Sequence, residues 1–377
     1  MAENRKIFED VGASARAPAP SAAPTKPDAR RNNRMLRVWL LCLMALVGLM
    51  IVVGGLTRLT DSGLSITEWQ PIAGALPPMN EAAWTDAFEK YQAIPEFRIQ
   101  NREMSLAGFK AIYWWEWSHR QLGRLIGLVW AIGFFWFLLR RQIPIGWTGR
   151  LALLGGLGGL QGALGWWMVS SGLTGRMVDV ASYRLALHLG LAFVILGLIT
   201  WFLLSLARGA REMLQDRRNR DTGLARGLNV LGALVFFQVL LGALVAGIDA
   251  GRGYTDWPLM NGQVLPSESF DYAPFWSNFF ENPALVQFNH RLIGYVVAIL
   301  MCVIWRQSRK SPVVALRRAV GILALWVVVQ MLLGISTVQS AAAWQIAILH
   351  QIGAIGLMIL ILRARFAAMY PPAQALR

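Results

Sequence analysis

The sequence predicts an all-α polytopic membrane protein with eight transmembrane helices, arranged as two parallel-repeat four-helix bundles. The first reason is composition: 55% of the residues are hydrophobic, 15% are charged and the mean hydropathy is +0.44, whereas soluble domains carry about a quarter charged residues. The second is a set of uncharged runs of bilayer-spanning length. The third is a repeat that places histidines at equivalent positions in both halves. These observations exclude an ordinary soluble enzyme, a disordered protein and a disulfide scaffold.

The predicted spans are uncharged runs, compared with the roughly 20 residues that a helix needs to cross the hydrocarbon core. Two of them, 125–139 and 292–305, are short, and the helix of the first is expected to extend outward through residues 114–124. The run 319–362 is long enough for two helices and is expected to break near residues 340–343. The remaining spans are predicted at 38–56, 151–175, 185–207 and 227–248.

The two bundles are predicted as separate domains between polar tails. Residues 1–33 are rich in Ala, Pro and charge, so they are expected to form a disordered cytoplasmic tail without a signal peptide. Cys42 and Cys302 lie in apolar runs and are expected to be small core residues, not a redox or metal pair. The further boundaries are 34–207 for the N-terminal bundle, 208–225 for a cytoplasmic linker, 226–365 for the C-terminal bundle and 366–377 for the C-terminal tail.

The Lys and Arg residues cluster on one side of the predicted membrane, in the tail, the termini and the loops near 140–150, 208–226 and 306–318. By the positive-inside rule this side is cytoplasmic, so both termini are expected inside a cytoplasmic (inner) membrane. The basic residues behind the net charge of +15 then mark the cytoplasmic side and contact membrane lipid headgroups. Nucleic acid is not an expected partner. Two long outer segments, 57–109 and 249–286, are placed to cap a site on the periplasmic side.

An internal repeat carries all the histidines of the chain. The end of the first helix, Gly-Gly-Leu-Thr-Arg-Leu-Thr-Asp-Ser-Gly (54–63), resembles the end of the fifth, Gly-Ala-Leu-Val-Ala-Gly-Ile-Asp-Ala-Gly (242–251). The second and the fourth helix of each half carry one histidine. Because each half has an even number of helices, the halves are expected to be parallel repeats related by an axis near the membrane normal. The histidines are His119, His188, His290 and His350.

Two facing histidines in each helical bundle indicate bis-histidine ligation of a haem. Each histidine is followed four positions later, on the same helix face, by a small residue that would leave room for a flat, bulky group. A lone transmembrane histidine often only hydrogen-bonds a neighbouring helix, but four at repeat-equivalent positions favour metal ligands. Zinc fits less well, since it takes three or four ligands at one point. The small residues are Gly123, Ala192, Gly294 and Ala354.

The repeat breaks at one informative position. Glu116 precedes His119 by three residues, where the second half has Gln287. This spacing puts the carboxylate on the same helix face as the histidine, where it is suited to move protons beside an apolar cofactor pocket. Our hypothesis is that the N-terminal pocket performs the chemistry and the C-terminal pocket holds a permanent electron-transfer haem. The alternative is that Glu116 forms a salt bridge with Arg120 or Arg124.

Several arginines are predicted on the outer side, near the two pockets. Haem propionates are anionic and suit bidentate pairing with arginine. Snorkelling from helix ends explains any single arginine equally well, so none is assigned to a propionate. The set consists of Arg58, Arg120, Arg124, Arg176, Arg184, Arg252 and Arg291.

Over about residues 34–365 the chain resembles the haem A synthase family, most closely its proteobacterial and mitochondrial branch. Six motifs carry the resemblance: Gly-Gly-Leu-Thr-Arg-Leu-Thr-Asp-Ser-Gly-Leu-Ser (54–65), Glu-Trp-Gln-Pro-Ile (68–72), Glu-Trp-Ser-His-Arg (116–120), Leu-His-Leu (187–189), Asn-His-Arg (289–291) and Leu-His-Gln (349–351). Some relatives carry a cysteine pair in the first outer segment. This chain has none there, which argues against electron input through a disulfide.

The resemblance implies an oxidoreductase that converts the C8 methyl group of haem O into the formyl group of haem A for cytochrome oxidase. It assigns the cofactor haem b to His290 and His350, the substrate haem to His119 and His188, and an essential carboxylate to Glu116. It also implies a haem O synthase as donor and cytochrome oxidase assembly factors as partners. A homo-oligomer remains open.

Two other functions are compatible with parts of the pattern. A di-haem b-type cytochrome would carry electrons through the same histidine pairs without oxidising a haem group. A transporter would also have internal repeats, but it is expected to carry polar residues at mid-membrane depth, and the predicted spans show few of them.

Overall fold

The structure, a computed structural model, describes residues 27–175 and 177–371, and every regular element within these ranges is a helix. The predicted N-terminal tail lies outside the described residues except for its last positions, and Arg176 and residues 372–377 lie outside them too. In chain order the helices are α1 (Pro27–Leu59), α2 (Glu81–Gln92), α3 (Pro95–Ile99), α4 (Leu106–Leu139), α5 (Thr148–Val169), α6 (Ser182–Leu206), α7 (Ala210–Asp216), α8 (Thr222–Gly247), α9 (Asn278–Glu281), α10 (Pro283–Ser308), α11 (Val314–Gln339) and α12 (Trp344–Met369).

Seven of the long helices in the described part of the chain have the length and apolarity of a membrane span, so the protein is an all-helical, polytopic membrane protein. These seven are α1, α4, α6, α8, α10, α11 and α12. The eighth long helix, α5, has 22 residues, but its glycines and Gln161 lower its mean hydropathy. Its glycines allow close approach instead: the ring of Trp130 on α4 lies directly against Gly155.

Polar residues mark the starts of several helices. The Ser105 side chain accepts a hydrogen bond from the Gly108 backbone N–H at the start of α4. Asp221 caps α8 through the Leu224 N–H. Asn282 caps α10, whose first residue is proline. Such caps satisfy backbone donors that have no partner inside the helix, so the helix starts are set locally.

The long helices of each half contact one another in a closed ring. In the first half α1 contacts α4, α4 contacts α5, α5 contacts α6, and α6 returns to α1. In the second half α8, α10, α11 and α12 follow the same order and close in the same way. Between the halves, α6 packs against α8, and α12 packs against α1 and α6. Equivalent helices therefore make equivalent contacts.

The predicted break between two helices agrees with the structure, but some helices continue past the uncharged runs from which their ends were predicted. The break expected near 340–343 separates α11 from α12. However, α4 begins at Leu106, before the predicted Trp114. At the other end of the chain α12 continues to Met369, beyond the boundary predicted at 365, because arginine side chains are tolerated at helix ends near a membrane surface.

Two connections form compact caps on the helix ends next to the histidines. The first loop, residues 60–105 between α1 and α4, contains α2 and α3 and has a core of its own. In that core the ring of Trp84 meets those of Phe109 and Tyr113 edge to face. The second loop, residues 248–282 between α8 and α10, contains α9. Both loops fall where long outer segments are predicted.

The two cysteines are not core residues, contrary to the sequence prediction. Cys42 and Cys302 are both exposed and free. Each lies on the outward face of its helix, whereas the neighbouring Leu43 and Met301 are buried. An apolar sequence run predicts a membrane helix but does not distinguish its buried face from its lipid face, because both are apolar.

Candidate functional site

Each of the four histidines lies against a glycine on the helix that precedes it in the bundle. A Cβ atom placed on these glycines would stand 2.9–3.1 Å from the nearest atom of the histidine ring. Any larger residue would displace the imidazole, so these positions have a packing reason to be glycine. The contacts are His119 with Gly54, His188 with Gly165, His290 with Gly242, and His350 with Gly334.

The C-terminal histidines face each other at a distance that suits one shared metal ion. The ring centroids of His290 and His350 are 6.4 Å apart, with planes at 82°. A metal–imidazole bond is about 2 Å long, and ring bonds of about 1.4 Å put each nitrogen about 1 Å from its centroid. Two imidazoles on one metal ion therefore have centroids about 6 Å apart. Nδ1 of His290 is buried without a hydrogen-bond partner, so the pair fits a bis-histidine haem.

The N-terminal histidines occupy the equivalent helices but are arranged differently. His119 on α4 and His188 on α6 lie within the first ring of four helices. Within the described ranges their rings make no direct contact like that of the C-terminal pair. The first loop reaches this side of the molecule, since Trp69 stacks on Trp166, the neighbour of Gly165, at 5.8 Å.

The sequence prediction missed three glutamines that contact the histidines. Each of these glutamines lies one helical turn before the glycine that contacts the histidine ring. The Nε2 group of each donates a hydrogen bond to the backbone carbonyl oxygen of the same histidine: Gln161 to His188, Gln238 to His290 and Gln330 to His350. The spacing Gln-x-x-x-Gly is visible in the sequence, but only the fold shows that it faces a histidine. The spans are thus less bare of polar residues than predicted.

The small residues four positions after the histidines do not simply leave open space beside the rings. The Met50 side chain lies against Gly123, and Gln238 lies against Gly294. Ala192 is buried in the core of the first half, and Ala354 packs against the same core. The space for the histidines is instead made by glycines across the helix interface, because side chains of adjacent helices interdigitate.

Glu116 is buried and fully hydrogen-bonded. Its Oε2 accepts hydrogen bonds from the Ser65 hydroxyl at 2.8 Å and the Ile66 backbone N–H at 2.7 Å. Its Oε1 accepts two from Arg120, at 3.0 Å from Nε and 2.6 Å from Nη2. Arg120 also donates to the carbonyl oxygens of Ile66 and Glu68. The salt-bridge alternative for Glu116 is therefore present, and the pair fastens the first loop to α4.

Gln287 and Arg291 form the equivalent anchor in the second half. The Gln287 amide donates to the carbonyl oxygens of Ala250 and Tyr254 and accepts from Arg291. The Arg291 guanidinium donates to Tyr254 and to two further loop carbonyls. The first loop presents donors to position 116 and the second presents acceptors to position 287. This difference gives a structural reason for the Glu-to-Gln change.

The outer arginines predicted near the pockets are engaged within the protein. Arg124 donates to the carbonyls of Gln70 and Pro71 and has a buried Nη1 without a partner. Arg184 donates to the carbonyl of Trp167 and stacks on its ring. Arg176 lies outside the described residues. Within the described residues, Arg124 and Arg184 therefore contact loop and helix groups of the protein itself.

Arg58 joins the two halves. Its Nε donates to the carbonyl oxygen of Ala246, the repeat-equivalent position, at 2.9 Å. Its guanidinium pairs with Asp61 at 2.6 Å, with Asp249 at 3.1 Å and with Asp179 at 3.5 Å. Burial raises the pKa of the Asp179 carboxyl, and the Arg58 charge opposes this rise.

A second buried carboxyl lies in the first loop. Glu96 on α3 is 3% exposed, and its Oε2 has no hydrogen-bond partner. Burial, with the nearby charges of Asp179 and Asp61, raises the pKa of Glu96 to about 8. The sequence prediction gave this residue no role, since an acidic residue in a loop is usually exposed.

The sequence matches known proteins over most or all of its length. Residues 37–362 match the family described as cytochrome oxidase assembly protein. The haem A synthase of Dinoroseobacter shibae is 58% identical over 383 residues, covering 100% of this chain and 99% of that protein. The chain belongs to the haem A synthase family. The haem A synthase of Roseobacter denitrificans is 56% identical with complete coverage of both chains, and that of Cereibacter sphaeroides is 52% identical, covering 100% of this chain and 98% of its own.

Membership in the haem A synthase family confirms the resemblance that the six sequence motifs indicated. The family match spans the long helices of both halves and all four histidines. Contacts found around the histidines therefore lie inside the region that defines the haem A synthase family.

Proposed function

We propose that the protein is a haem A synthase, an oxidoreductase that converts the C8 methyl group of haem O into a formyl group. The observation that carries the proposal is the His290–His350 pair, 6.4 Å apart between ring centroids, in a chain 58% identical to a haem A synthase over its whole length. The conversion removes electrons from a carbon atom, so an electron-transfer site beside a substrate site is the expected arrangement.

The proposed topology has eight membrane-crossing helices, with α5 as the eighth, in two parallel-repeat bundles. The bundles are the N-terminal 34–207 and the C-terminal 226–365, with a cytoplasmic linker 208–225. The matching rings of helix contacts support the repeat. The Lys and Arg residues near 140–150, 208–226 and 306–318 support cytoplasmic termini in the inner membrane, with the histidines toward the periplasmic side.

The C-terminal pair His290 and His350 is the proposed site of haem b, which supplies one-electron transfer when bound. The protein's part is to hold both imidazoles in place. Gln238 and Gln330 bond the backbone carbonyls of the two histidines from neighbouring helices.

The N-terminal pair His119 and His188 is the proposed site of the substrate haem O. Glu116, three residues before His119 on α4, is the proposed carboxylate for proton transfer in this half. It is buried, and the contact with Arg120 holds the carboxylate in place on the helix that carries His119. The first loop, closed on α4 through Glu116 and on α5 through Trp69, is placed to keep water from the substrate.

The proposed partners follow from the substrate and the product. A haem O synthase would supply haem O, and cytochrome oxidase assembly factors would receive haem A. Membrane lipid surrounds the helices, since apolar side chains such as Ile132, Ile299 and Leu325 are more than half exposed.

The proposal is tested on the purified full-length protein by its absorbance spectrum, its haem content and chromatography of extracted haem after incubation with haem O. Conversion of haem O to haem A is expected. His290→Ala and His350→Ala should each remove the b-type bands, because a buried imidazole left without its partner no longer completes the ligation. A colourless wild-type protein would contradict the assignment of all four histidines.

A di-haem electron carrier is the second candidate. The observation in its favour is that Glu116 and Arg120 perform the same anchoring task as Gln287 and Arg291, so the Glu-to-Gln difference does not by itself require catalysis. A carrier would show the b-type spectrum and undergo reversible reduction, but it would leave added haem O unchanged.

A further inference from the structure

The histidines differ in how they are held. Three of them have a glutamine on the neighbouring helix: Gln161 for His188, Gln238 for His290, and Gln330 for His350. Each glutamine Nε2 bonds the histidine carbonyl oxygen at 2.8–2.9 Å and lies 3.2–3.3 Å from a ring nitrogen. A single side chain thus contacts both the backbone and the ring of its histidine.

Met50 takes the equivalent place on α1, the helix that precedes His119 in the first ring. It lies one turn before Gly54, as Gln238 lies one turn before Gly242. A Cβ atom on Gly123 would be 3.5 Å from Met50 Cε, and one on Gly294 would be 3.4 Å from Gln238 Nε2. Met50 therefore fills the same space but offers no N–H. Between residues 27 and 371, Arg176 apart, no side chain hydrogen-bonds the His119 ring.

The glutamines also carry a free acceptor. The Oε1 atoms of Gln161, Gln238 and Gln330 are all buried without a hydrogen-bond partner. A histidine that binds a metal ion through one ring nitrogen carries a proton on the other, and it commonly donates that proton to a nearby oxygen, which orients the ring. This unpaired amide oxygen belongs to the same side chain that reaches the ring through Nε2, so it is an acceptor of the kind this contact needs, and the Met50 thioether is a much weaker acceptor.

We infer that Gln161, Gln238 and Gln330 are positioning residues that hold their histidines, and that Met50 leaves His119 free to turn as the exchangeable ligand. This inference rests on the proposed function, because it assigns the freer ligand to the substrate site. The C-terminal pair then has two held imidazoles, as a permanent cofactor requires. The N-terminal pair has one held imidazole, His188, and one free imidazole, which lets a haem enter and leave without unfolding the bundle.

The test measures haem release. The full-length protein is loaded with protohaem, and haem transfer to excess apomyoglobin is followed by absorbance. Two phases are expected, and His119→Ala identifies the N-terminal one. Gln238→Met should accelerate the slow C-terminal phase about 10-fold, since orienting contacts of this kind change metal affinity by roughly 10- to 100-fold. Met50→Gln should slow the fast N-terminal phase by a similar factor.

Matched variants separate a change in histidine positioning from a loss of folding or packing. Met50→Leu keeps an apolar side chain of similar size and should release haem as the wild type does. Gln238→Met should leave the N-terminal phase unchanged, and Met50→Gln should leave the C-terminal phase unchanged. The inference is overturned if Met50→Gln does not slow the fast phase while Met50→Leu releases haem normally, or if Gln238→Met leaves the slow phase as it was.

The haem-release assay tests the positioning role, and the haem O conversion assay tests the proposed function, so each can be contradicted without the other. If the wild type does not convert haem O but both variants shift their own phase, the positioning role stands and the proposed function falls. If haem O is converted but neither phase moves, the proposed function stands and the positioning role falls.

Discussion

At the scale of single residues, the chemistry of each position follows from the groups that face it. Position 116 faces the Ser65 hydroxyl and the Ile66 N–H, so a carboxylate accepts from both. Position 287 faces the carbonyls of Ala250 and Tyr254, so an amide donates to both. The sequence shows the Glu-to-Gln difference but not the loop groups that favour it. A substitution at Glu116 therefore changes a loop contact as well as a charge.

Replacing Glu116 by glutamine should lower the conversion of haem O about 100-fold while the b-type spectrum is retained. The expected size is that of losing a general acid or base. Ser65→Ala is the matched control, since it removes one hydrogen bond from Glu116 and keeps the charge. It should lower conversion less than about 10-fold, in line with the loss of one hydrogen bond. Equal losses in the two variants would mean that Glu116 acts only by anchoring the first loop.

At the scale of elements, the first loop behaves as a small folded unit on top of a helical bundle. Its core rings surround Phe109 and Tyr91, and Tyr91 accepts a hydrogen bond from Asn101. Glu96 lies at the edge of this unit with one oxygen unpaired. A buried carboxyl without a partner favours its neutral form, because burial penalises the charge.

The stability of the first loop should fall as pH rises. The folded pKa of Glu96, about 8, is above its ordinary value near 4.5, so the folded loop keeps a proton that the unfolded loop loses. The stabilisation is complete below about pH 4.5, declines as pH rises and is lost above about pH 8. Hydrogen exchange of residues 60–105, corrected for intrinsic rates, should show weaker protection at pH 8.5 than at pH 6.

Glu96→Gln should remove most of this pH dependence and protect the loop better than the wild type at pH 8.5. The exposed Glu103 in the same loop provides the control, and Glu103→Gln should leave the dependence in place. The other charged groups near Glu96 are Asp61, Glu116, Asp179 and Arg58. An unchanged pH profile in Glu96→Gln would assign the effect to these neighbours.

At the scale of the whole molecule, two similar rings of helices are joined by a few specific contacts. Gln351, next to His350, donates to the Ile51 carbonyl of the other half at 2.6 Å and lies against Gly55. Arg58 reaches from the first half to Ala246 and Asp249 in the second. These contacts join the helices that carry the two histidine pairs.

Arg58→Ala should weaken the junction between the halves. It would remove the cation that lies among Asp61, Asp179 and Asp249 and the bond to Ala246, at a cost of about 1 kcal/mol, since the carboxylates are partly exposed and Asp61 and Asp249 keep Arg252 as a partner. The apparent midpoint of thermal unfolding in detergent should fall by several degrees. Arg252→Ala removes a half-exposed arginine of the same cluster and should change the midpoint little, as surface ion pairs do. Equal midpoints for Arg58→Ala and the wild type would contradict the proposed junction.

Hydropathy and residue spacing, which can be read along the chain, were enough to predict the class of protein, the break at 340–343 and the four histidines. Three-dimensional packing brings the interacting groups together: glycines of neighbouring helices at the imidazoles, glutamines at three histidines, Met50 at Gly123, and loop donors at Glu116. It also decided that Cys42 and Cys302 face outward. These contacts join residues that are far apart in sequence, so they depend on how the helices pack against one another. The rotation of each helix about its axis is also set by packing, because a uniformly apolar sequence does not indicate which face is buried.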